Sequence, residues 1–253
     1  GGSEPQFEKD ASGKFDFTKP LIKPETMNDI EAGTGLIKDN YSLNLNLFYM
    51  IFQNEIVKKG QTDRFGQPIT GNAERTIHSG AELSGVFRGI SNLEIMLNGT
   101  FSKNFISSGL SYVKYKINNS KIIAPIDLGG NSIAGFPDFL MNVSLKYVNS
   151  GLNVILTGRY VGKSYSDNYG DKLSSYISDY PGFIDYNDNV IDPYFTANMF
   201  ISYQKEVKPL KSTIKIYGQV NNLFDNLYAA YAIGKEYFPA AERNFMAGVQ
   251  FEF

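Results

Sequence analysis

Apolar and polar residues alternate one by one along most of this chain. Leu43, Leu45, Leu47, Tyr49 and Ile51 interleave with Asn44 and Asn46. Leu93, Ile95, Leu97 and Phe101 interleave with Glu94, Asn98 and Thr100. The same period runs through 141–147, 152–160, 195–203, 214–220 and 245–253, and more weakly through 28–37 and 75–88. Successive side chains of a strand point to opposite faces, so each segment predicts a β-strand with one apolar and one polar face. Phe48, Met50 and Phe52 interrupt the polar face of their segment. No segment carries a sustained helical period of 3.6.

The predicted strands are long. Soluble strands run to about 5–6 residues, whereas a tilted strand crossing a bilayer needs about 9–11. The connections alternate as well. Short ones fall near 38–41, 89–92, 149–151 and Pro209; long ones near 59–74, 107–137, 166–192 and 225–241. Short turns on one side and long loops on the other are the pattern of an outer-membrane barrel. The chain therefore reads as all-β, an antiparallel transmembrane β-barrel. About nine strands are legible, and single-chain bacterial barrels have even counts, so these are expected to be the C-terminal part of a larger barrel. Residues 1–25 hold Pro5, Pro20 and Pro24 and no alternation, and are expected to be an external loop or leader rather than a further strand. Residues 26–253 are expected to form the barrel. Two other classes share the alternation: a small self-contained barrel acting as a porin or adhesin, and a soluble β-sandwich that binds a ligand.

Composition narrows the function. The chain is 42% hydrophobic and 20% charged, inside the globular range. A net charge of −2 argues against nucleic acid as a partner, since phosphate binding needs a basic surface. With no Cys, thiol catalysis and Cys-based zinc sites are excluded, and a single His argues against other zinc sites. No cofactor, no metal and no catalysed reaction are expected. The 17 Tyr and 19 Phe suit strands and membrane interfaces.

Four segments carry a resemblance. Asn221-Asn222-Leu223-Phe224-Asp225-Asn226-Leu227-Tyr228 resembles the "NLFD–Y" segment near the end of TonB-dependent outer-membrane receptors. Phe238-Pro239-Ala240-Ala241-Glu242-Arg243-Asn244-Phe245, with Gly248 and Phe253, is similar to their last loop and strand. Leu21-Ile22-Lys23-Pro24-Glu25-Thr26, with Glu31 and Gly33, is similar to their "L-K-P-E … E-x-G" stretch, and Gly71-Asn72 with Ser79-Gly80-Ala81-Glu82-Leu83 to their "N-x-G … G-x-E" strand. These matches keep the family's order. They imply a 22-stranded barrel in the bacterial outer membrane, closed inside by an N-terminal plug that lies outside this chain. They also imply uptake of a scarce nutrient (an iron–siderophore, haem or cobalamin) driven by the TonB complex through that missing part. By the same resemblance, an aromatic at Phe253 implies recognition by the barrel-assembly machinery.

The candidate ligand residues are few. His78 shares the polar parity with Glu82 and Arg88 and could face a ligand or a wet lumen. Glu94, Lys146, Arg159 and Lys163 fall on polar faces too, where a lumen tolerates charge. The segment 165–194 is rich in Tyr and Asp. Its Tyr169, Tyr176, Tyr180 and Tyr186, with Tyr231 and Tyr237 from the last long connection, are expected to contact ligand, because Tyr offers an apolar body and a polar tip at low entropy cost. Asp185-Tyr186-Asn187-Asp188-Asn189 partly resembles a calcium loop but lacks its Gly and its closing Glu.

Overall fold

The computed structural model describes residues 7–10, 12–62, 67–117, 120–208 and 212–253. Along the chain the strands are β1 (Phe7–Lys9), β2 (Phe15–Pro20), β3 (Thr26–Lys38), β4 (Tyr41–Thr62), β5 (Pro68–Ile90), β6 (Leu93–Ser108), β7 (Leu110–Ile117), β8 (Ser120–Asp127), β9 (Phe139–Asn149), β10 (Leu152–Val161), β11 (Ser164–Tyr165), β12 (Val190–Ile191), β13 (Tyr194–Val207), β14 (Ser212–Asn221), β15 (Ala229–Ile233), β16 (Glu236–Pro239) and β17 (Asn244–Glu252). Nine of them form one antiparallel sheet in the order β17-β14-β13-β10-β9-β6-β5-β4-β3. The nine predicted strands are these nine. The sheet is open, with β3 and β17 at its edges.

Two faces follow from the register. Leu45, Leu83, Leu97, Val143, Leu156, Met199 and Val249 share one face with Ile30 and Ile216. On this face Phe101, Phe139, Tyr160, Phe195 and Phe224 make a row at one end. Ring centroids are 5.8 Å apart for Phe139–Tyr160 and 6.1 Å for Phe195–Phe224, and Tyr160 lies opposite Phe195. Tyr41, Phe87, Tyr147, Tyr203 and Phe251 make a second row near the other end. Between the rows no charged residue falls on this parity among the described residues; Lys103 and Arg75 lie beyond the first row and Lys205 beyond the second. A charge at the midplane of the lipid face costs about 2–4 kcal/mol, and two aromatic girdles mark the water boundaries of a membrane barrel. The opposite face carries Asn46, Glu82, Asn98, Asn142, Thr157 and Gln250 and faces the lumen.

The turns at the second girdle are short. Ser150 and Gly151 between β9 and β10 both have positive φ (48° and 86°), as a two-residue type I′ hairpin requires. The connection predicted at Pro209 lies outside the described residues. At the other end, segments expected to be loops are folded. Much of 59–74 is strand, because β4 and β5 run 22 and 23 residues and project beyond the sheet. The 107–137 connection holds the β7–β8 hairpin, and 225–241 holds the β15–β16 hairpin. The 166–192 connection contains a 3-10 turn at Gly170–Lys172 and one short helix, α1 (Leu173–Asp179), too brief to print a helical period on the sequence. Among the described residues before β3, β1 and β2 pair with each other as a hairpin separate from the main sheet.

Candidate functional site

The four long connections pack on one another as a cap. Its core is Val57 and Ala73 from β4 and β5, Ile106 from β6, Val113 and Ile126 from β7 and β8, and Tyr169, Leu173 and Tyr176 around α1. Leu173 and Tyr176 are three apart and so share the inward face of that helix. The residues Ser166, Asp167 and Asn168 bind the connections together. The Asn168 amide donates to the Lys58 carbonyl at 2.5 Å and its Oδ1 accepts from Ala134 N at 2.8 Å. Asn131 Nδ2 donates to the Asn168 carbonyl at 3.0 Å. Gly234 N donates to the Ser166 carbonyl at 3.1 Å. Asp167 is fully buried; its Oδ1 accepts from Tyr169 N (2.8 Å) and Asn189 Nδ2 (2.7 Å), and its Oδ2 from the Tyr186 hydroxyl (2.8 Å). Gly60, at φ +70°, sits over it: a Cβ there would lie 2.5 Å from Asp167 Cβ.

Most of the tyrosines expected at a ligand surface belong to this packing. Tyr169 and Tyr176 are buried, with rings 5.6 Å apart, and burial pushes the Tyr169 hydroxyl up to about 12. Burial likewise holds the Tyr186 hydroxyl above its ordinary value, reinforced by the Asp167 carboxylate. Tyr180 packs edge-on against Tyr115 at 5.3 Å. Tyr231 lies under the Lys58 ammonium at 4.2 Å. Tyr237 remains at the surface beside Asp188. On the outer surface of the cap, Gly60, Phe183, Asp185, Tyr186, Ile233 and Lys235 line a shallow groove of about 440 Å3, where Lys235 pairs with Asp185. Asp185 and Asn189 of the calcium-like stretch are thereby engaged with Lys235 and Asp167.

His78 stands on the lumen parity as expected, yet inside the wall. Its Nε2 is 3.0 Å from Glu55 Oε2 and its Nδ1 2.8 Å from Asn104 Oδ1, while Phe52 and Phe136 close over it edge-on. Both neighbours are acceptors, since the Asn104 amide donates to Ser102 Oγ. Both ring nitrogens are thereby engaged, Nε2 by the Glu55 carboxylate and Nδ1 by the Asn104 amide oxygen. No nitrogen is left for a ligand. Glu55 reaches the inner side because Asn54 has φ +55°, which turns the strand.

A second open site is lumenal, just inside the outer girdle. A groove of about 500 Å3 is lined by Asn98, Asn142, Arg159, Tyr194, Asn198, Asn221, Tyr228 and Asn244. Asn98, Asn142 and Arg159 face one another across β6, β9 and β10. Asn142 Nδ2 donates to Asn98 Oδ1 and Asn221 Nδ2 to Asn244 Oδ1, both at 2.8 Å. Asn222, at φ +51°, ends β14 and donates its N–H to Asn198 Oδ1 at 2.9 Å. Tyr194 and Tyr228 stack at 4.1 Å beside them. Arg159 makes no ion pair among the described residues. A permanently charged guanidinium, convergent amides and a flat aromatic pair suit an anionic ligand rich in oxygen. The sequence places Arg159 only among other charged residues of the polar faces. The asparagines were the missed signal, spaced at the polar parity of successive strands.

Solved structures share this architecture. The siderophore receptor PiuA from Acinetobacter baumannii aligns over 96% of this chain and 30% of its own, at 19% identity and a TM-score of 0.65. The ferric-catecholate import receptor Fiu from E. coli K12, in its closed form, aligns over 98% and 30%, at 18% identity and 0.62. The copper transporter OprC aligns over 91% and 32%, at 14% identity and 0.58. The chain thus spans about a third of the length of these structures. The family described as "TonB dependent receptor-like, beta-barrel" matches residues 2–223, which sets aside the sandwich and the small porin. Its members are outer-membrane receptors and transporters rather than enzymes, and this chain belongs to the TonB-dependent receptor β-barrel family.

Proposed function

We propose that this chain supplies wall and external loops to an outer-membrane importer of iron–siderophore chelates. The observation that carries the reading is Arg159, without an ion pair among the described residues, beside the lumenal amides and the Tyr194–Tyr228 stack, directly beneath a packed external cap. A ferric catecholate or hydroxamate complex offers the anionic oxygens such a site would bind. Uptake would draw on the TonB complex through a plug segment outside this chain, and Phe253 would serve the barrel-assembly machinery. The ligand enters through the cap, where Tyr237 and Lys235 are exposed.

The test is ligand binding by the full-length receptor, with a synthetic ferric tris-catecholate as probe and haem and cyanocobalamin as comparators. Arg159→Ala should weaken catecholate binding by about 10- to 100-fold, the worth of a hydrogen bond to a charged group, with heat-modifiable folding unchanged. Unchanged catecholate affinity in that variant, or preference for haem or cobalamin in the wild type, would overturn the reading.

A further inference from the structure

The lipid-facing wall is not uniform. At the centre of the sheet, where β9, β10 and β13 run side by side, the bulky belt is broken by Gly158, which lies opposite both Val143 and Ala197. A groove of about 390 Å3 opens there, lined by apolar atoms alone from Met141, Leu145, Leu156, Tyr160, Phe195 and Phe224 around that floor. The Phe195 ring leans over the missing side chain, with a Cβ at Gly158 falling 3.2 Å from it. The far wall is built by the turn after β14. Leu223 N donates to the Ala197 carbonyl at 2.7 Å, and this folds Leu223 and Phe224 back onto the outer face of the wall, leaving Phe224 60% exposed.

We propose that this groove holds one hydrocarbon chain of an outer-leaflet lipid as a resident ligand. Three observations choose that occupant. The groove is continuous with the lipid-facing belt and on the same parity as Leu97 and Met199. It runs from Leu145 and Leu156 in the middle of the belt up to the outer aromatic row, so it opens to the outer leaflet. It contains nothing that would hold the polar end of a peptide or a soluble ligand. Filling it removes apolar surface from a site that bulk chains cover only loosely, which favours a chain seated there over its neighbours.

The experiment uses the full-length receptor reconstituted into vesicles of phosphatidylethanolamine with palmitoyl and oleoyl chains, extracted in maltoside and read by native mass spectrometry. Val143→Phe fills the groove and Phe224→Ala removes its wall. Leu45→Ala trims a comparable lipid-facing side chain outside it. Each variant is first matched to wild type in heat-modifiable migration; a variant that fails is replaced by Phe224→Ser, whose side chain is exposed and carries little of the fold. The expected result is one retained lipid per wild-type and Leu45→Ala receptor, and at least threefold lower occupancy in the groove variants. Equal retention in all of them, or equal loss in Leu45→Ala, overturns the proposal.

Discussion

Removing the Asp167 carboxylate should release the cap from its hub. In Asp167→Ala, the Tyr169 N–H and the Tyr186 hydroxyl lose their acceptor, while Asn189 Nδ2 keeps its second acceptor, the Gly170 carbonyl, at 3.2 Å. Two orphaned donors cost about 1–3 kcal/mol each, and the weakened Asn189 about 1 kcal/mol more. Part of that returns, because burial opposes the charge: it raises the Asp167 carboxyl above its ordinary value against the pull of Asn189, Tyr169 and Tyr186. The net loss is about 2–4 kcal/mol, or about 30- to 700-fold in the equilibrium for local opening. Amide hydrogen exchange on the full-length receptor reads it directly. The amides of Ser166, Tyr169 and Gly234 should exchange faster by that factor, and those of β10 and β13 should not change. Asp167→Asn keeps an acceptor on the Oδ1 side and lets the Tyr186 hydroxyl turn round to accept, so it should cost less than about tenfold. Exchange within threefold of wild type in the Ala variant, or an Asn variant as fast as Ala, would refute the hub.

Three further outcomes follow from the same packing. Ile106→Ala, at a fully buried site where β6 meets the cap, should destabilise the cap by about 2–5 kcal/mol and expose the β7–β8 hairpin to limited proteolysis. Gly60→Ala puts a Cβ against Asp167 at a positive φ and should loosen the same amides as Asp167→Ala, measured by the same exchange. Alkali should open the cap as well. The Tyr169 hydroxyl is raised in the folded protein, so its contribution is whole below the ordinary tyrosine value near 10 and is lost as pH rises through about 12; protease sensitivity of the cap should climb across that window.

The wall was legible because a lipid on one side and water on the other force a strict period of two. Leu43 to Ile51 and Phe195 to Tyr203 show the apolar half of it without ambiguity. The cap was not legible. There Tyr169 and Tyr176 serve as core, whereas their composition matches that of a binding surface equally well, and only contacts from distant segments separate the two. Glu55 escaped for a local reason: it shares the odd numbering of Leu43 to Ile51, but the left-handed Asn54 reverses the parity and Glu55 meets His78 inside. Phe48, Met50 and Phe52, which spoil the polar face on paper, pack in the lumen, where Phe52 covers His78 and Phe48 lies against Gly80.

The spacing of the two aromatic rows bears on where such a wall can reside. Phe195 and Tyr203 are eight residues apart, as are Phe139 and Tyr147. At about 3.3 Å per residue this is about 26 Å along the strand, and a barrel tilt near 40° leaves a height of about 20 Å. A typical bilayer has about 30 Å of hydrocarbon, and the bacterial outer membrane is thinner than average. At fractions of a kcal/mol per Å, the mismatch in a thick bilayer reaches several kcal/mol, so the girdles act as a thickness gauge that disfavours residence in any membrane but the thin one.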